Sequence, residues 1–380
     1  MLESGEAFYA LDRKADAITK KGMLELMNWQ RSDSTVFSPV PTGNWDKELP
    51  GQMLASVGYY GFWNYYMHTG DIETLKNVYA PVRKYLSLWK IKEDGAVTVR
   101  KGGWIWGDWG SNRDIPIIIN TQYYLALRGY KNMSDVLGYK KESDSVDRLM
   151  KNFKNDFNKT FWKGDHYRSD NYQEKTDDRS QGLAVVAGLA DQDKFEDIYN
   201  VLQTEKHASP YMEKYILEAL FMMGYEDFAL QRMKERFSKM VYHPEITTLW
   251  EGWGIGAEGF GGGTTNHAWS GGGLTLLYQY AAGITPSSPG YETIRIKPQP
   301  GFLKHIKATV SSSKGEIKVE LKNEDTYSLS VTIPDETKAT VYIPSKYKEI
   351  KVNNTKMIHS KEEGYNVFEI SSGVYEIKAN

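Results

Sequence analysis

The chain of 380 residues contains no cysteine, which excludes disulfide bonds and any site in which thiolates bind a metal. It also lacks an apolar run near the ~18 residues of a membrane-spanning helix. The first residues, MLESGEAFYALDRK, do not show the basic and then apolar pattern of a secretory signal. Its 47 basic and 49 acidic residues are intermixed and form no basic patch typical of nucleic-acid binding. The sequence therefore predicts neither a nucleic-acid nor a membrane partner, and it indicates no oligomeric state and no compartment.

Several motifs of catalytic chemistry are also missing. The seven histidines are scattered, without the paired spacing of metal ligands. The run GFGGG has neither the Lys-Ser/Thr ending nor the preceding strand of a phosphate-binding loop, and no G-x-S-x-G elbow carries a nucleophilic serine. We therefore expect no metal and no cofactor.

Aromatic residues, in contrast, are abundant at 13% of the chain, with 26 Tyr and 11 Trp. All of the tryptophans lie between Trp29 and Trp269, and this change in composition indicates a boundary between two kinds of structure. Aromatic faces can stack on the apolar C–H patches of a sugar ring. They are also ordinary core material, so their number alone does not distinguish the two roles.

The first 285 residues show the apolar spacing of helices. Leu11 and Ile18 belong to one such pattern at the N-terminus, and Asp71 is a favourable cap for a helix that continues through Pro81. Helices joined by short loops predict stacked hairpins, as in an (α/α)6 toroid. The alternative is a helical solenoid, but no fixed-period repeat supports it. Further helices are expected near 118–130, 140–157, 178–190, 193–203, 209–223, 225–239 and 264–282.

Beyond residue 285 the pattern changes to an alternation of apolar and polar residues. Proline and glycine are dense between Gly283 and Gly301, as expected of a junction. The alternation predicts an antiparallel β-sandwich with no catalytic residue. We therefore expect two domains, residues 1–285 and 286–380. The predicted strands are GEIKVELK, YSLSVTIP, KATVYIP, KEIKVN, YNVFEI and GVYEIKA.

Three predicted loops, 37–51, 102–114 and 247–273, combine tryptophan with acidic residues and with glycine or proline. Loops at one end of a toroid converge, and functional residues concentrate on such loops. Hydrolysis of a glycosidic bond typically uses two carboxyl groups. The candidate acids are Asp46, Glu48, Asp108, Asp114, Glu251 and Glu258.

The stretch TTLWEGWG places Glu251 between Trp250 and Trp253. A carboxyl group beside large apolar rings is poorly solvated, which is one way to tune a general acid or base. The alternative is a surface glutamate near two partly buried tryptophans. Asp108 lies between tryptophans in the same way, and His267 is either a capping residue or a ligand of a sugar hydroxyl.

These motifs, in their order, resemble glycoside hydrolase family 78, the bacterial α-L-rhamnosidases. TTLWEGW, followed by TTNHAWSGGGLTLLYQYAAGITPSSPGYETIRIKPQPG, is similar to the C-terminal part of the family's catalytic domain. GNWDKELPGQ and WGDWG are similar to its earlier loops, and the C-terminal strands resemble its C-terminal sandwich. The resemblance covers most of residues 1–300. It implies an (α/α)6 barrel, a rhamnoside as the carbohydrate partner and inverting hydrolysis of terminal α-L-rhamnosyl residues.

The resemblance also implies roles for individual residues. Glu251 matches the general base that activates water, and Asp108 matches the acid of the Gly-Asp-Trp loop, in either a catalytic or a structural role. His267 matches a residue that contacts the rhamnose, and Trp109 and Trp45 match aromatic residues that line the sugar subsite. Trp250 and Asn266, which lie in the same motifs, are also expected to bind the sugar.

One element of the family pattern is absent. The family's general acid lies in a motif before the helix that resembles residues 5–30, and this chain shows no such motif. The resemblance thus implies that the first helices of the barrel are missing, which exposes an apolar wall, and that the chain is weak or inactive alone. Two alternatives stay open. One is a non-catalytic rhamnose-binding remnant, and the other is a different (α/α)6 glycosidase or a lyase that uses Asp108 and Glu251.

Overall fold

The computed structural model describes residues 2–37, 48–258, 263–324 and 326–380. The helical region runs to residue 281. Among the described residues, no helix combines the length and the apolar character that crossing a membrane requires. A π-helical turn joins α3 to α4, and another extends α12 to Ala281. The helices are α1 (Leu2–Ala10), α2 (Asp16–Asn28), α3 (Pro50–Val57), α4 (Asn64–Thr69), α5 (Ile72–Leu86), α6 (Ile115–Val136), α7 (Lys140–Phe161), α8 (Asp178–Ala187), α9 (Phe195–Thr204), α10 (Pro210–Met222), α11 (Glu226–Val241) and α12 (Gly272–Leu276).

Helix α5 illustrates how the local sequence sets an element. The Asp71 carboxylate accepts a hydrogen bond from the Thr74 backbone N–H at 3.1 Å, which satisfies a donor at the first turn. Leu75 and Val82 then bury one face, and Pro81 lies inside the helix. The sequence-based prediction of this cap and helix is confirmed.

The helical pattern predicted near the N-terminus is divided between two helices, α1 and α2. The chain leaves α1 after Ala10, and the Asp12 side chain caps a short 3-10 turn before α2 begins. The Arg13 guanidinium donates to the Phe8 carbonyl at 2.8 Å, which ties the end of α1 to this turn. As a result Leu11 is 54% exposed and Ile18 is 77% exposed, so neither lies in the core.

The helices form two concentric layers, as the predicted toroid requires. In the inner layer α1 packs on the α3–α4 segment, and α6, α8, α10 and α12 follow in order, with α12 packing back on α1. All of α8 is buried, as is most of α10. In the outer layer α2, α5, α7, α9 and α11 each bury only part of their residues, as amphipathic surface helices do.

Glycines at the start of α12 allow the inner ring to close. A Cβ atom at Gly271 would lie 2.3 Å from a carboxylate oxygen of Glu6 on α1. At Gly272 it would lie 2.6 Å from the Cβ atom of Lys214 on α10. The Gly-Gly pair therefore lets α12 approach both of its inner neighbours more closely than residues with side chains could.

The C-terminal domain contains two sheets that enclose a second apolar core. The strand order is β1-β2-β6-β10-β9 in one sheet and β3-β4-β5-β11-β7-β8 in the other. The antiparallel prediction is correct except where β2 pairs with β6 in parallel, after the chain has passed through β3–β5. The strands are β1 (Ile284–Pro286), β2 (Thr293–Ile296), β3 (His305–Ser312), β4 (Gly315–Asn323), β5 (Tyr327–Ile333), β6 (Lys338–Pro344), β7 (Ile350–Val352), β8 (Thr355–Lys356), β9 (Ser360–Glu362), β10 (Tyr365–Ile370) and β11 (Gly373–Ala379).

A buried histidine connects the helical region to the start of the β domain. His68 on α4 places Nδ1 2.6 Å from the Tyr291 hydroxyl, and its ring stacks on Phe8 with centroids 4.6 Å apart. Burial, together with the charge of Arg13, lowers the pKa of His68 to about 3. This contact is therefore made by a neutral imidazole at neutral pH.

Candidate active site

A pair of backbone segments fixes the position of Glu251. Its N–H donates to the Thr264 carbonyl at 2.9 Å, and the His267 N–H donates to the Leu249 carbonyl at 2.9 Å. The indole N–H of Trp269 donates to the carbonyl of Glu251 at 3.2 Å. The two ends of the glycine-rich loop are thus held together like short strands, and Glu251 lies on this paired base.

The Glu251 carboxylate faces residues that are far away in the sequence. Oε1 accepts a hydrogen bond from Trp109 Nε1 at 3.1 Å, and Oε2 accepts one from the Thr264 backbone N–H at 2.9 Å. His267 Nδ1 lies 3.7 Å from Oε2 and 2.7 Å from the Thr264 hydroxyl. The Glu251 side chain is 15% exposed, so its carboxylate is anchored and still open to water. The structure brings Glu251, Trp109 and His267 together.

Aromatic rings pack around Trp109, which donates to this carboxylate. The ring of Trp109 lies 5.3 Å from that of Trp104 and 5.9 Å from that of Trp106. Trp106 stacks on Trp269 with centroids 5.8 Å apart, and Tyr211 lies 5.1 Å from Trp269. Trp104 is 44% exposed, whereas Trp106 and Trp269 are buried. We call Trp104, Trp106, Trp109, Tyr211 and Trp269 the aromatic cluster.

Of the aromatic cluster, only Trp109 was a candidate from the sequence, and the other four members were not. Trp104 and Trp106 share the WIWGDWG loop with Trp109, and Trp269 follows His267 by two residues, so their positions in the motifs were available signals. Tyr211 begins an inner helix, and no motif in its local sequence marks it.

The Asp108 side chain, next to Trp109 in sequence, lies inside the protein. It has no exposed surface, and Oδ2 accepts hydrogen bonds from Arg179 at 3.0 Å and from the Ser209 N–H at 2.9 Å. Burial raises the pKa of Asp108, and the Arg179 charge opposes this effect. These contacts connect the Trp109 loop to α8 and to the start of α10.

Arg179 is fully buried on α8 and holds the backbone of the same loop. Its guanidinium donates to the carbonyls of Ser111 at 2.7 Å and Asn112 at 2.6 Å, and to the Asp177 carboxylate at 2.6 Å. Burial raises the pKa of Asp177 to about 6. The loop that presents Trp109 is therefore anchored by a buried cation with several acceptors.

The other candidate acids that the structure describes are engaged elsewhere. Glu48 is buried and forms an ion pair with Arg100 at 2.8 Å. Asp114 is buried and accepts a hydrogen bond from the Ser169 hydroxyl at 2.6 Å. Glu258 is exposed and pairs with Lys239.

The remaining expected sugar-binding residues differ in placement. Trp250 has no exposed surface and belongs to the helical core, whereas Asn266 is exposed beside His267. Trp45 and Asp46 lie within 38–47, outside the described residues. In the part of the chain that is described, no cluster of three or more His, Asp or Glu side chains is arranged to hold a metal ion.

Two family models match the chain over consecutive segments. The bacterial alpha-L-rhamnosidase six-hairpin glycosidase domain matches residues 4–281, and the bacterial alpha-L-rhamnosidase C-terminal domain matches residues 283–357. The two matches meet beside Ile284, where β1 begins.

Curated relatives and solved structures agree with these matches. An alpha-L-rhamnosidase of Formosa agariphila is 25% identical over 329 residues, which are 79% of this chain and 35% of that protein. One of Streptomyces avermitilis is 28% identical over 169 residues, or 42% of this chain and 16% of that protein.

The alpha-L-rhamnosidase structure from Dictyoglumus thermophilum has a TM-score of 0.84 at 21% identity. This match covers 100% of the present chain and 45% of the Dictyoglumus chain. The Streptomyces avermitilis alpha-L-rhamnosidase complexed with L-rhamnose has a TM-score of 0.81 at 20% identity. This match covers 100% of the present chain and 38% of the Streptomyces chain. This chain thus spans less than half the length of these relatives. With its six-hairpin domain followed by the C-terminal β domain, the chain belongs to the bacterial α-L-rhamnosidase family, glycoside hydrolase family 78.

Proposed function

We propose that this chain supplies the catalytic base and the sugar-binding surface for inverting hydrolysis of terminal α-L-rhamnosyl residues. The observation that carries the proposal is the Glu251 carboxylate, which Trp109 and the Thr264 N–H hold beside His267. The family supports the choice of substrate, and the solved Streptomyces avermitilis relative is complexed with L-rhamnose.

Glu251 acts as the general base. During inversion, one carboxylate removes a proton from water as the water oxygen attacks the anomeric carbon, and a separate acid protonates the leaving oxygen. Among the described residues, Trp109 donates to Oε1 and the Thr264 N–H donates to Oε2. A carboxylate oxygen can accept more than one hydrogen bond, so a water molecule can be a further donor. The partial exposure of this side chain gives water access to it.

The neighbouring side chains bind the sugar. Trp104 presents an exposed ring next to Trp109, and such faces suit the apolar C–H patches of rhamnose. His267 and the exposed Asn266 supply hydrogen-bonding groups for its hydroxyls. Trp250 is not part of this proposal because its side chain is entirely buried.

Asp108 acts as a positioning residue in this proposal and not as the general acid. A general acid must reach the glycosidic oxygen, and the buried Asp108 carboxyl is bonded to Arg179 and Ser209. Glu48, Asp114 and Glu258 have the partners described above. None of these four described acids is therefore assigned as the general acid, and Asp46 lies outside the described residues. With no acid assigned, we expect weak hydrolysis, with the highest rates for leaving groups that need little protonation.

A second candidate function is binding of rhamnose without hydrolysis. The engagement of these four acids favours it, because loss of a general acid typically costs ~10²–10⁴ in rate. Rhamnose binding would survive, since Trp104, Trp109 and His267 do not depend on that acid.

Proton NMR of rhamnose release from an activated aryl α-L-rhamnoside tests the proposal. We expect slow release with the β-anomer appearing first, slower release from an alkyl rhamnoside, and calorimetric binding of L-rhamnose. First appearance of the α-anomer would overturn inversion. Absence of both hydrolysis and rhamnose binding would overturn the site itself.

A further inference from the structure

A cavity lies at the end of the inner helices that is remote from Glu251. Val186 near the end of α8 and Met222 at the end of α10 line it. Tyr211, at the start of α10, instead belongs to the aromatic cluster beside Glu251. At 1.5 Å per residue, Tyr211 and Met222 are about 16 Å apart along α10. The cavity is therefore separate from the candidate active site.

The helical region and the β domain enclose this cavity together, so we call it the domain-junction cavity. It consists of two chambers, with volumes of about 320 Å³ and about 240 Å³, that share part of their lining. The shared lining residues are Tyr59, Tyr60, Glu218, Gln279, Tyr280 and Arg295. The volume of the larger chamber falls within the range of ~300–1,000 Å³ that is typical of small-molecule sites. The cavity is therefore large enough for a small ligand.

Three half-buried cations of the domain-junction cavity have no acidic partner. Arg128, Arg295 and Lys297 line the cavity and form no ion pair within the described part of the chain. Glu218, the one acidic lining residue among those described, already pairs with Lys214. Burial and the charge of Arg295 lower the pKa of Lys297, so these two cations share one environment. The lining therefore carries an excess of positive charge.

A donor and an acceptor of the shared lining are also unmatched. Arg295 Nε and Gln279 Oε1 are both buried, and neither has a hydrogen-bond partner among the described residues. The Arg295 guanidinium donates to no described backbone carbonyl, so it does not cap the C-terminal end of an inner helix. A buried polar group without a partner is unfavourable. A ligand that carries both an anionic oxygen and a hydroxyl group would supply the two missing partners.

We propose that the domain-junction cavity binds a hydroxylated organic anion of the sugar-acid class. The planar guanidinium of Arg295 matches the two oxygens of a carboxylate, and Arg128 and Lys297 add positive charge. A ligand hydroxyl donates to Gln279 Oε1, and the tyrosine rings of the shared lining suit the C–H face of a sugar ring. Because Arg295 lies on β2 and Gln279 in the helical region, the bound anion connects the two domains.

Isothermal titration calorimetry of the 380-residue chain with D-glucuronate tests the proposal. D-Glucose is the neutral counterpart of this probe, and inorganic phosphate is an anion without a sugar ring. We expect saturable binding of glucuronate that weakens as sodium chloride is added, and no measurable binding of glucose. Arg295→Met should weaken glucuronate binding about tenfold or more, because it removes the partner of the carboxylate. Arg148→Met, at an exposed position on α7, should leave the affinity unchanged.

Further variants locate the bound anion. Trp104→Ala in the aromatic cluster should not change glucuronate binding, which separates this site from the candidate active site. Lys297→Met and Arg128→Met should each weaken binding, so the test stands even if Arg295→Met lowers the thermal unfolding midpoint. Absence of glucuronate binding, equal affinity for phosphate, or unchanged affinity in the three cation variants would overturn the proposal. Loss of thermal stability in these variants without glucuronate binding to the unsubstituted chain would also overturn it, because the cations would then serve the fold alone.

Discussion

Trp109 contributes an N–H donor to the candidate site as well as an aromatic face. Trp109→Phe keeps a ring and removes the hydrogen bond to Glu251 Oε1. A hydrogen bond to a charged group contributes about 1.5–3 kcal/mol, so we expect kcat on an aryl α-L-rhamnoside to fall about ten- to a hundredfold. Trp104→Phe leaves this donor in place and should raise KM more than it lowers kcat. Equal kcat for Trp109→Phe and the unsubstituted chain would show that the donor does not position Glu251.

Among individual residues, Glu251 and Trp109 of the candidate active site were predicted from the kinds of residue in their loops. The acid-and-tryptophan loops pointed to Glu251 and Trp109, and the structure joins them by a hydrogen bond. The sequence could not distinguish Trp250 from Trp253, because a glycine-rich loop has no periodicity that assigns a side chain to one face. Packing alone places Trp250 in the core and leaves Trp253 half-buried.

Among the elements, α8 supports the candidate site because its Arg179 holds the Trp109 loop. Arg179→Met should lower the free energy of unfolding in urea by about 3–5 kcal/mol, since Asp108 and Asp177 would lose their buried cation. Lys151→Met removes an exposed ion pair on α7 and should change stability very little. A similar small change for Arg179→Met would mean that the buried pairs are not structural anchors.

Element boundaries were predictable where the signal was local. The Asp71 cap and the alternation in β4, β5, β6, β10 and β11 gave elements close to those observed. The break between α1 and α2 was missed because Arg13 binds backbone carbonyls of α1, a contact that hydrophobic spacing does not reveal. The Asp108–Arg179 pair was missed for a similar reason, since 71 residues separate its partners.

At the scale of the whole molecule, His68 makes the junction between the helical region and the β domain sensitive to acid. Its pKa is about 3 when buried and near 6.5 in the unfolded chain, so the unfolded state binds the additional proton between these values. The contribution of His68 to stability is therefore complete above pH 6.5 and is lost as the pH falls toward 3, by up to about 1.4 kcal/mol per pH unit.

Urea denaturation at several pH values between 7 and 4 measures this effect. His68→Gln should show a shallower fall in unfolding free energy than the unsubstituted chain. His305→Gln, at an exposed position on β3, should keep the original slope. If His68→Gln and the unsubstituted chain have parallel profiles, the buried histidine is not the acid-sensitive group.

The division into a helical toroid and a β domain was predictable because helical spacing and strand alternation occupy separate parts of the chain. Within the described residues, the inner ring closes where α1 packs on α12. Gly271 permits this closure next to Glu6, and spacing arguments do not capture such a contact between the two ends of the helical region.

Chemical rescue of Glu251→Ala tests most directly whether Glu251 is the base that activates water. An activated aryl α-L-rhamnoside minimises the need for a general acid, and azide needs no deprotonation before it attacks the anomeric carbon. We expect Glu251→Ala to lose about 10²–10⁴ in rate. Azide should restore turnover and give the β-configured rhamnosyl azide, while Glu258→Ala behaves like the unsubstituted chain. An undiminished rate for Glu251→Ala, or a lost rate that azide does not restore, would contradict the assignment.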